Sequence, residues 1–178
     1  ILKKQSLYLI SSRSGSMECD QMLNQDFVYF DEEYTSVQQL LSLVAKDLYE
    51  KGYVKETYEQ AIISREEKYP TGLKLAGLNI AICHTEPQNV TKNTLFLVKP
   101  AHPVLFRNAE TLDKLPVDLV IGLVFTDGKL HLKNLSYLAQ LFTNQQFIQE
   151  IKQVTSKEEL TTIFSNFLEK GGKEKWND

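Results

Sequence analysis

Cysteine is scarce in this 178-residue chain: Cys19 and Cys83 are too few for a disulfide framework and lack the spacing of a zinc site. That scarcity fits a reducing, cytoplasmic home. No apolar run approaches the roughly 20 residues that cross a bilayer, so membrane insertion is not expected. Lysine and arginine total 20 against 23 acidic residues, a net charge of -3. No basic stripe is interleaved with aromatic residues, which argues against a nucleic-acid partner. A glycine-rich phosphate loop and a helical His/Glu metal spacing are both missing. Their absence disfavours a nucleotide enzyme and a metalloprotease, and no metal or other cofactor is expected. There are no internal repeats and no low-complexity linkers. A domain of this length buries roughly 70% of the surface its unfolded chain exposes, enough for a proper core.

The two ends read differently from the middle. ILKKQSLYLISSRSGS, residues 1–16, is polar at its start, and its stretch from Leu7 to Ile10 is too short for a signal-peptide core. Residues 1–16 are expected to be an appended leader or a disordered extension, with Met17 as the natural start. Residues 17–170 form the domain. GGKEKWND, residues 171–178, is expected to be a disordered tail.

Between those ends, strands and helices alternate. FVYF, Phe27 to Phe30, is β-prone and forms a first strand. Thr35 or Ser36 opens a helix whose Val37, Leu40, Leu41, Val44 and Leu48 share one face, and Gly52 stops it. A second helix spans about Lys55 to Glu67, with Tyr58, Ala61 and Ile62 inward. Pro70 and Gly72 make a turn in YPTGL. Leu78, Ile80 and Ile82 then alternate with Asn79 and Ala81, the period of a half-buried strand that ends before Pro87. Thr94 to Val98 and Asp118 to Phe125 read as further strands, with a short one at Val104 to Phe106. Asp127-Gly128 precedes a helix with His131, Leu135, Leu138, Ala139 and Phe142 on one face. Asn144 caps a short helix carrying Phe147, Ile148 and Ile151. Ser156 and Glu159 form a capping box for a last helix, with Leu160, Ile163, Phe164, Phe167 and Leu168 inward. The pattern predicts an α/β fold: a mixed β-sheet of about five strands flanked by helices on both sides.

The chain has three histidines. His102 lies between prolines in KPAHPVLF and reads as an exposed loop residue. His84 closes the apolar run NIAICH, where a scaffold meets a loop. On that stretch alone, a histidine that merely caps a strand edge is the simpler reading. A Cys83-His84 thiol site is disfavoured, because neighbours on a strand point to opposite faces. A third arrangement combines His84, His131 in the first turn of a helix, and Arg65 at the end of another. A helix N-terminus favours anions, arginine offers a planar fork for phosphate oxygens, and a neutral imidazole nitrogen accepts a phosphoryl group near neutral pH. Composition and spacing say only that these parts suit a phosphohistidine.

KGYVKETYEQAIISREEKYPTGL followed by NIAICHTEPQNV resembles the enzyme IIA domain of the sugar phosphotransferase system, of the fructose–mannitol type. The PTGL ahead of the histidine is most similar to the galactitol branch. The likeness covers roughly Phe27 to Phe167. It implies that His84 is the phosphoryl acceptor, through Nε2. It implies that His131, opening HLKNLSYL, and Arg65, in the Arg-Glu pair, stabilise the phosphoryl group. Thr71, Gly72 and Thr85 are expected to line the same place. The residue before the phosphorylated histidine is usually proline in this family; here it is Cys83, a departure expected to keep the nucleophile but loosen the geometry of the strand end. The implied relay runs from the phosphocarrier protein HPr to His84 and on to a cysteine of enzyme IIB, which serves the membrane IIC transporter. The alternative is a regulatory module of the same fold in a sugar-operon transcription activator, with phosphorylation as its switch.

Overall fold

A computed structural model describes residues 23–174 of the chain. The expected leader, Met17, Cys19 and Trp176 lie outside the described residues.

One sheet organises the domain. Its strand order is β1-β4-β7-β3-β2, with β1 at Leu23–Phe30, β2 at Gly72–Lys74, β3 at Asn79–His84, β4 at Thr94–Lys99 and β7 at Leu119–Val124. β1 runs parallel to β4, β4 antiparallel to β7, β7 parallel to β3 and β3 antiparallel to β2. The sheet is therefore mixed and has five strands, as the sequence pattern predicts. A separate hairpin pairs β5, Val104–Arg107, with β6, Lys114–Val117. The sequence pattern gives no sign of β6, because Pro116 argues against a strand. The proline is tolerated because this ladder has only two strands and Pro116 sits opposite Leu105 on its edge.

Helices cover both faces. α1 (Val37–Glu50) and α2 (Tyr58–Lys68) lie on one side with the hairpin; α3 (Gly128–Leu141), α4 (Gln145–Gln153) and α5 (Lys157–Glu174) lie on the other. Alternation along each strand sorts the two cores. Ile80, Ile82, Ile121 and Leu123 join the core under α3 to α5, while Ala81, Cys83, Phe96 and Val120 join the core under α1 and α2. β3 is thus buried on both faces, not half-buried. Its alternating Asn79 and Ala81 suggest a wet face, but the small Ala81 and Cys83 pack beneath α2. Close packing is visible at Gly122, where an added β-carbon would fall 1.9 Å from the Phe96 ring.

The helix ends follow from local chemistry. Ser36 caps α1 by accepting from Gln39 N at 3.1 Å, and the Gln39 amide oxygen accepts from Thr35 N at 2.7 Å. The same pairing recurs at α5, where Ser156 accepts from Glu159 N at 3.1 Å. Glu159 returns not to Ser156 but to Thr155 N, at 2.8 Å. Past the end of α1, Gly52 has a φ of +79° that lets Tyr53 N reach back to the Leu48 carbonyl at 2.9 Å. Asp127 and Asn144 cap α3 and α4.

Four sequence expectations need correction. α2 begins at Tyr58, because the chain from Lys55 forms a turn that closes with Tyr58 N on the Lys55 carbonyl. Gly72 opens β2 and is not part of a turn; a side chain there would strike the Arg107 carbonyl, 2.5 Å from the β-carbon position. On α3, Ala139 is exposed, and Asn134 is buried in its place with its amide on the Leu130 carbonyl at 2.7 Å. α5 runs past Gly171 and Gly172 to Glu174, into the segment expected as a tail. Among the described residues, no helix is long and apolar enough to cross a membrane.

Candidate active site

β3 and β7 run side by side in the same direction, with His84 opposite Leu123. Beyond Leu123 the chain passes Phe125, turns at Asp127 and enters α3. That short path brings the first turn of α3, and His131 with it, over the end of β3. The ring centroids of His84 and His131 are 4.4 Å apart, with the planes tilted by 49°. Phe125 stands edge-on to His131, at 6.4 Å between centroids. The C-terminal ends of parallel strands meet a helix start here, a place where open α/β sheets commonly hold ligands.

His84 is held by its own strand. Its Nδ1 lies 3.2 Å from the Ile82 carbonyl oxygen. A carbonyl can only accept, so Nδ1 carries the proton in the neutral ring. Nε2 then bears the free lone pair. Burial lowers the His84 pKa to about 4, with the neighbouring His131 and Arg65 pushing the same way. The ring is therefore neutral at pH 7. Burial, and then Arg65, lower His131 from its ordinary value as well. Two neutral imidazoles beside a guanidinium form a site that takes an anion more readily than a proton.

Arg65 reaches the site from α2, on the opposite layer. Its Nη1 is 2.7 Å from Oε1 of Glu86. Its Nε is buried and has no hydrogen-bond partner among the described residues. The guanidinium also lies 5.7 Å from the Tyr69 ring centroid. His84, His131 and Arg65 are thus brought together. His102 is not: its side chain is 83% exposed, beside Glu33.

Thr71, Gly72 and Thr85 have other partners. Thr71 N and Oγ1 donate to the two oxygens of Glu66, at 2.9 and 2.8 Å. Cys83 Sγ lies 3.8 Å from both Thr71 Oγ1 and Glu66 Oε2. This polar cluster sits behind β3, on the face away from His84. Gly72 pairs with Ala81 and its carbonyl accepts from Ala109 N at 2.8 Å. Thr85 is buried and donates to the Glu86 carbonyl at 3.1 Å. Cys83 does not loosen the strand end, since the ladder with β7 continues through Cys83–Gly122 to His84–Leu123. Burial pushes the Cys83 thiol well above its ordinary pKa, so it is not a nucleophile.

Two carboxylates escape a reading of the sequence. Glu66 is 92% buried, although charged residues are almost never assigned to a core, and burial raises its pKa. Its sole signal is its place beside Arg65 at the helix end. Glu86 follows His84 by two residues and faces Arg65. Among the described residues, no group of three or more His, Cys, Asp or Glu could hold a metal ion.

The sequence profile of the phosphoenolpyruvate-dependent sugar phosphotransferase system, EIIA 2, matches residues 21–167, and the chain belongs to that family. It is 31% identical over 112 residues to the galactitol-specific EIIA component of Escherichia coli K12, a match covering 63% of this chain and 75% of that one. The solution structure of the mannitol-specific cryptic phosphotransferase enzyme IIA CmtB from E. coli superposes with a TM-score of 0.69 at 22% identity, over 84% of this chain and 99% of that one. The complex of enzyme IIAMTL with phosphorylated enzyme IIBMTL from E. coli contains the same fold, with a TM-score of 0.64 at 21% identity over 81% and 97% of the chains.

Proposed function

We propose that this protein is the phosphocarrier IIA component of a sugar transport phosphotransferase system, with His84 as acceptor. A phosphoryl group arrives on a histidine of HPr, and its P–N bond breaks as a bond to His84 Nε2 forms. It then passes to a cysteine thiolate of enzyme IIB, which serves the membrane IIC transporter. Partners of this kind place the chain in the cytoplasm. The observation that carries the reading is the Nδ1 contact with the Ile82 carbonyl, because it leaves Nε2 unprotonated and fixes the ring. As Nε2 bonds to phosphorus, positive charge develops on the ring, and the Nδ1–H···O bond to Ile82 strengthens with it.

The remaining groups act by position and charge. Phosphoryl transfer of this loose kind asks for alignment and electrostatic stabilisation, more than for covalent chemistry. Arg65 offers a guanidinium, His131 a ring hydrogen bond, and the start of α3 its free N–H groups. Neither metal nor nucleotide enters this step. Galactitol stands in the name of a relative and mannitol in those of two structural neighbours. Those names support a polyol system as the transporter served. Incubation with phosphoenolpyruvate, enzyme I and HPr, followed by intact mass, tests the reading. The expected result is the gain of one phosphoryl group, lost in His84→Ala and kept in His102→Ala.

A further inference from the structure

Arg65 is already engaged in the resting protein. Its Nη1 pairs with Glu86 Oε1 at 2.7 Å, while its Nε is buried with no hydrogen-bond partner among the described residues. One side of the guanidinium therefore holds a carboxylate, and a second donor, Nε–H, has no hydrogen-bond acceptor among the described residues. A planar fork with unused donors is matched by an anion that can offer several oxygens at once, which a phosphoryl group does. We propose that the Glu86 carboxylate is a resting-state counter-ion for Arg65 that yields the guanidinium to the phosphoryl group on His84. Glu86 thereby sets how tightly the protein holds that group. The inference rests on His84 being the acceptor.

One observation and two physical arguments support the exchange. The pair is inexpensive to break: the Glu86 side chain is 48% exposed and that of Arg65 29%, and ion pairs so open to solvent contribute little. A phosphorylated side chain carries about -1.5 to -2 charges at neutral pH, so it outcompetes a single carboxylate for the same cation. Left in place, the carboxylate would also stand against a group of its own sign.

The loop is built so that the side chain alone has to turn. The Glu86 carbonyl accepts from Thr85 Oγ1 at 3.1 Å, Asn89 N at 3.2 Å and Asn89 Nδ2 at 3.3 Å. Asn89 Oδ1 in turn accepts from Thr57 Oγ1 at 2.8 Å, tying the loop to the start of α2. Pro87 restricts the residue before it to extended backbone, and Glu86 has φ -64° and ψ 145°. The carboxylate takes no part in this anchoring. Both charges reach the acceptor ring: after burial and His131, Arg65 lowers the His84 pKa, and Glu86 opposes that.

The test is the phosphoryl equilibrium between HPr and this chain, read by intact mass after mixing with phosphoenolpyruvate, enzyme I and HPr. Glu86→Gln removes the competing charge and keeps the side-chain shape. It should shift the equilibrium toward the phosphorylated chain by about 1.5-fold to fivefold, the scale of an exposed ion pair lost. An unchanged equilibrium, or one shifted toward HPr, overturns the inference. Independently, the Arg65 Nε–H resonance of the parent protein should move on phosphorylation as it gains a partner. A resonance that stays in place overturns the inference even if the variant folds poorly. A parent that takes up no phosphoryl group refutes the IIA reading itself, and the exchange with it. A parent that takes it up normally while Glu86→Gln changes nothing refutes the exchange alone.

Discussion

The imidazoles of His84 and His131 face one another at 4.4 Å between centroids, one at the end of a strand and the other in the first turn of the helix after the neighbouring parallel strand. Neither is protonated at neutral pH, because burial and Arg65 lower both. A site of this kind holds its positive charge on the arginine and keeps its nucleophile free.

Arg65→Ala and His131→Ala should each slow phosphoryl transfer by tenfold or more and leave the fold intact. For Arg65, a unit charge pair 4 Å apart is worth about 4 kcal/mol at an effective dielectric of 20, before desolvation is subtracted; for the neutral His131, a hydrogen bond donated to a charged group is worth about 1.5–3 kcal/mol. About 1.4 kcal/mol of either, acting on the transition state alone, gives the tenfold. His131→Gln should keep part of the rate, since its amide still donates. Stopped-flow transfer rates, with circular dichroism as the fold control, check this. Rates equal to the parent's in all three variants would leave both residues without a part in transfer.

The acid limb of stability should carry the signature of His84. Its folded pKa, about 4, lies below the ordinary 6.5. Between those values the unfolded chain binds more protons than the folded one, so stability falls as pH drops from about 6.5 toward 4. His84→Gln should flatten that fall. Urea midpoints at several pH values measure it, and NMR titration of the His84 ring gives the pKa directly. An ordinary pKa near 6.5 would remove the argument for a ring kept neutral by burial.

Glu66 should matter for stability. Glu66→Ala strands Thr71 N–H and leaves Thr71 Oγ1 and the Cys83 thiol with only each other behind the sheet. A buried donor left unpaired costs about 1–3 kcal/mol, so urea denaturation should show a loss of that size. Glu66→Gln, which keeps a carbonyl acceptor, should lose less. An Ala variant as stable as the parent would show that the cluster contributes nothing.

Much of the architecture is written in local patterns. Ser36, Asp127, Asn144 and Ser156 announce their helices, because a cap is a short-range hydrogen bond between residues two or three positions apart. The errors fall where tertiary contacts outvote local rules. Gly72 looks like a turn residue but is in a strand because the Arg107 backbone passes too close for any side chain. Ala139 fits the helical period, yet Asn134 takes the inward place by bonding its own helix. The parts of the site were legible as residue types: two histidines at element ends and an arginine at a helix terminus. Their convergence was not, because it depends on β3 and β7 lying parallel and adjacent, which no local pattern encodes. Glu66 and Glu86 were hidden for a related reason, since the role of a carboxylate follows from what it faces.

The most direct measurement is the location of the phosphoryl group. The protein is phosphorylated through phosphoenolpyruvate, enzyme I and HPr, then examined by phosphorus–nitrogen NMR correlation on labelled histidine. The free lone pair on Nε2, left by the Nδ1 bond to Ile82, predicts one phosphoryl group on His84 Nε2. A phosphoryl group on Nδ1 of His84, on His131, or still gained by His84→Ala would contradict the account.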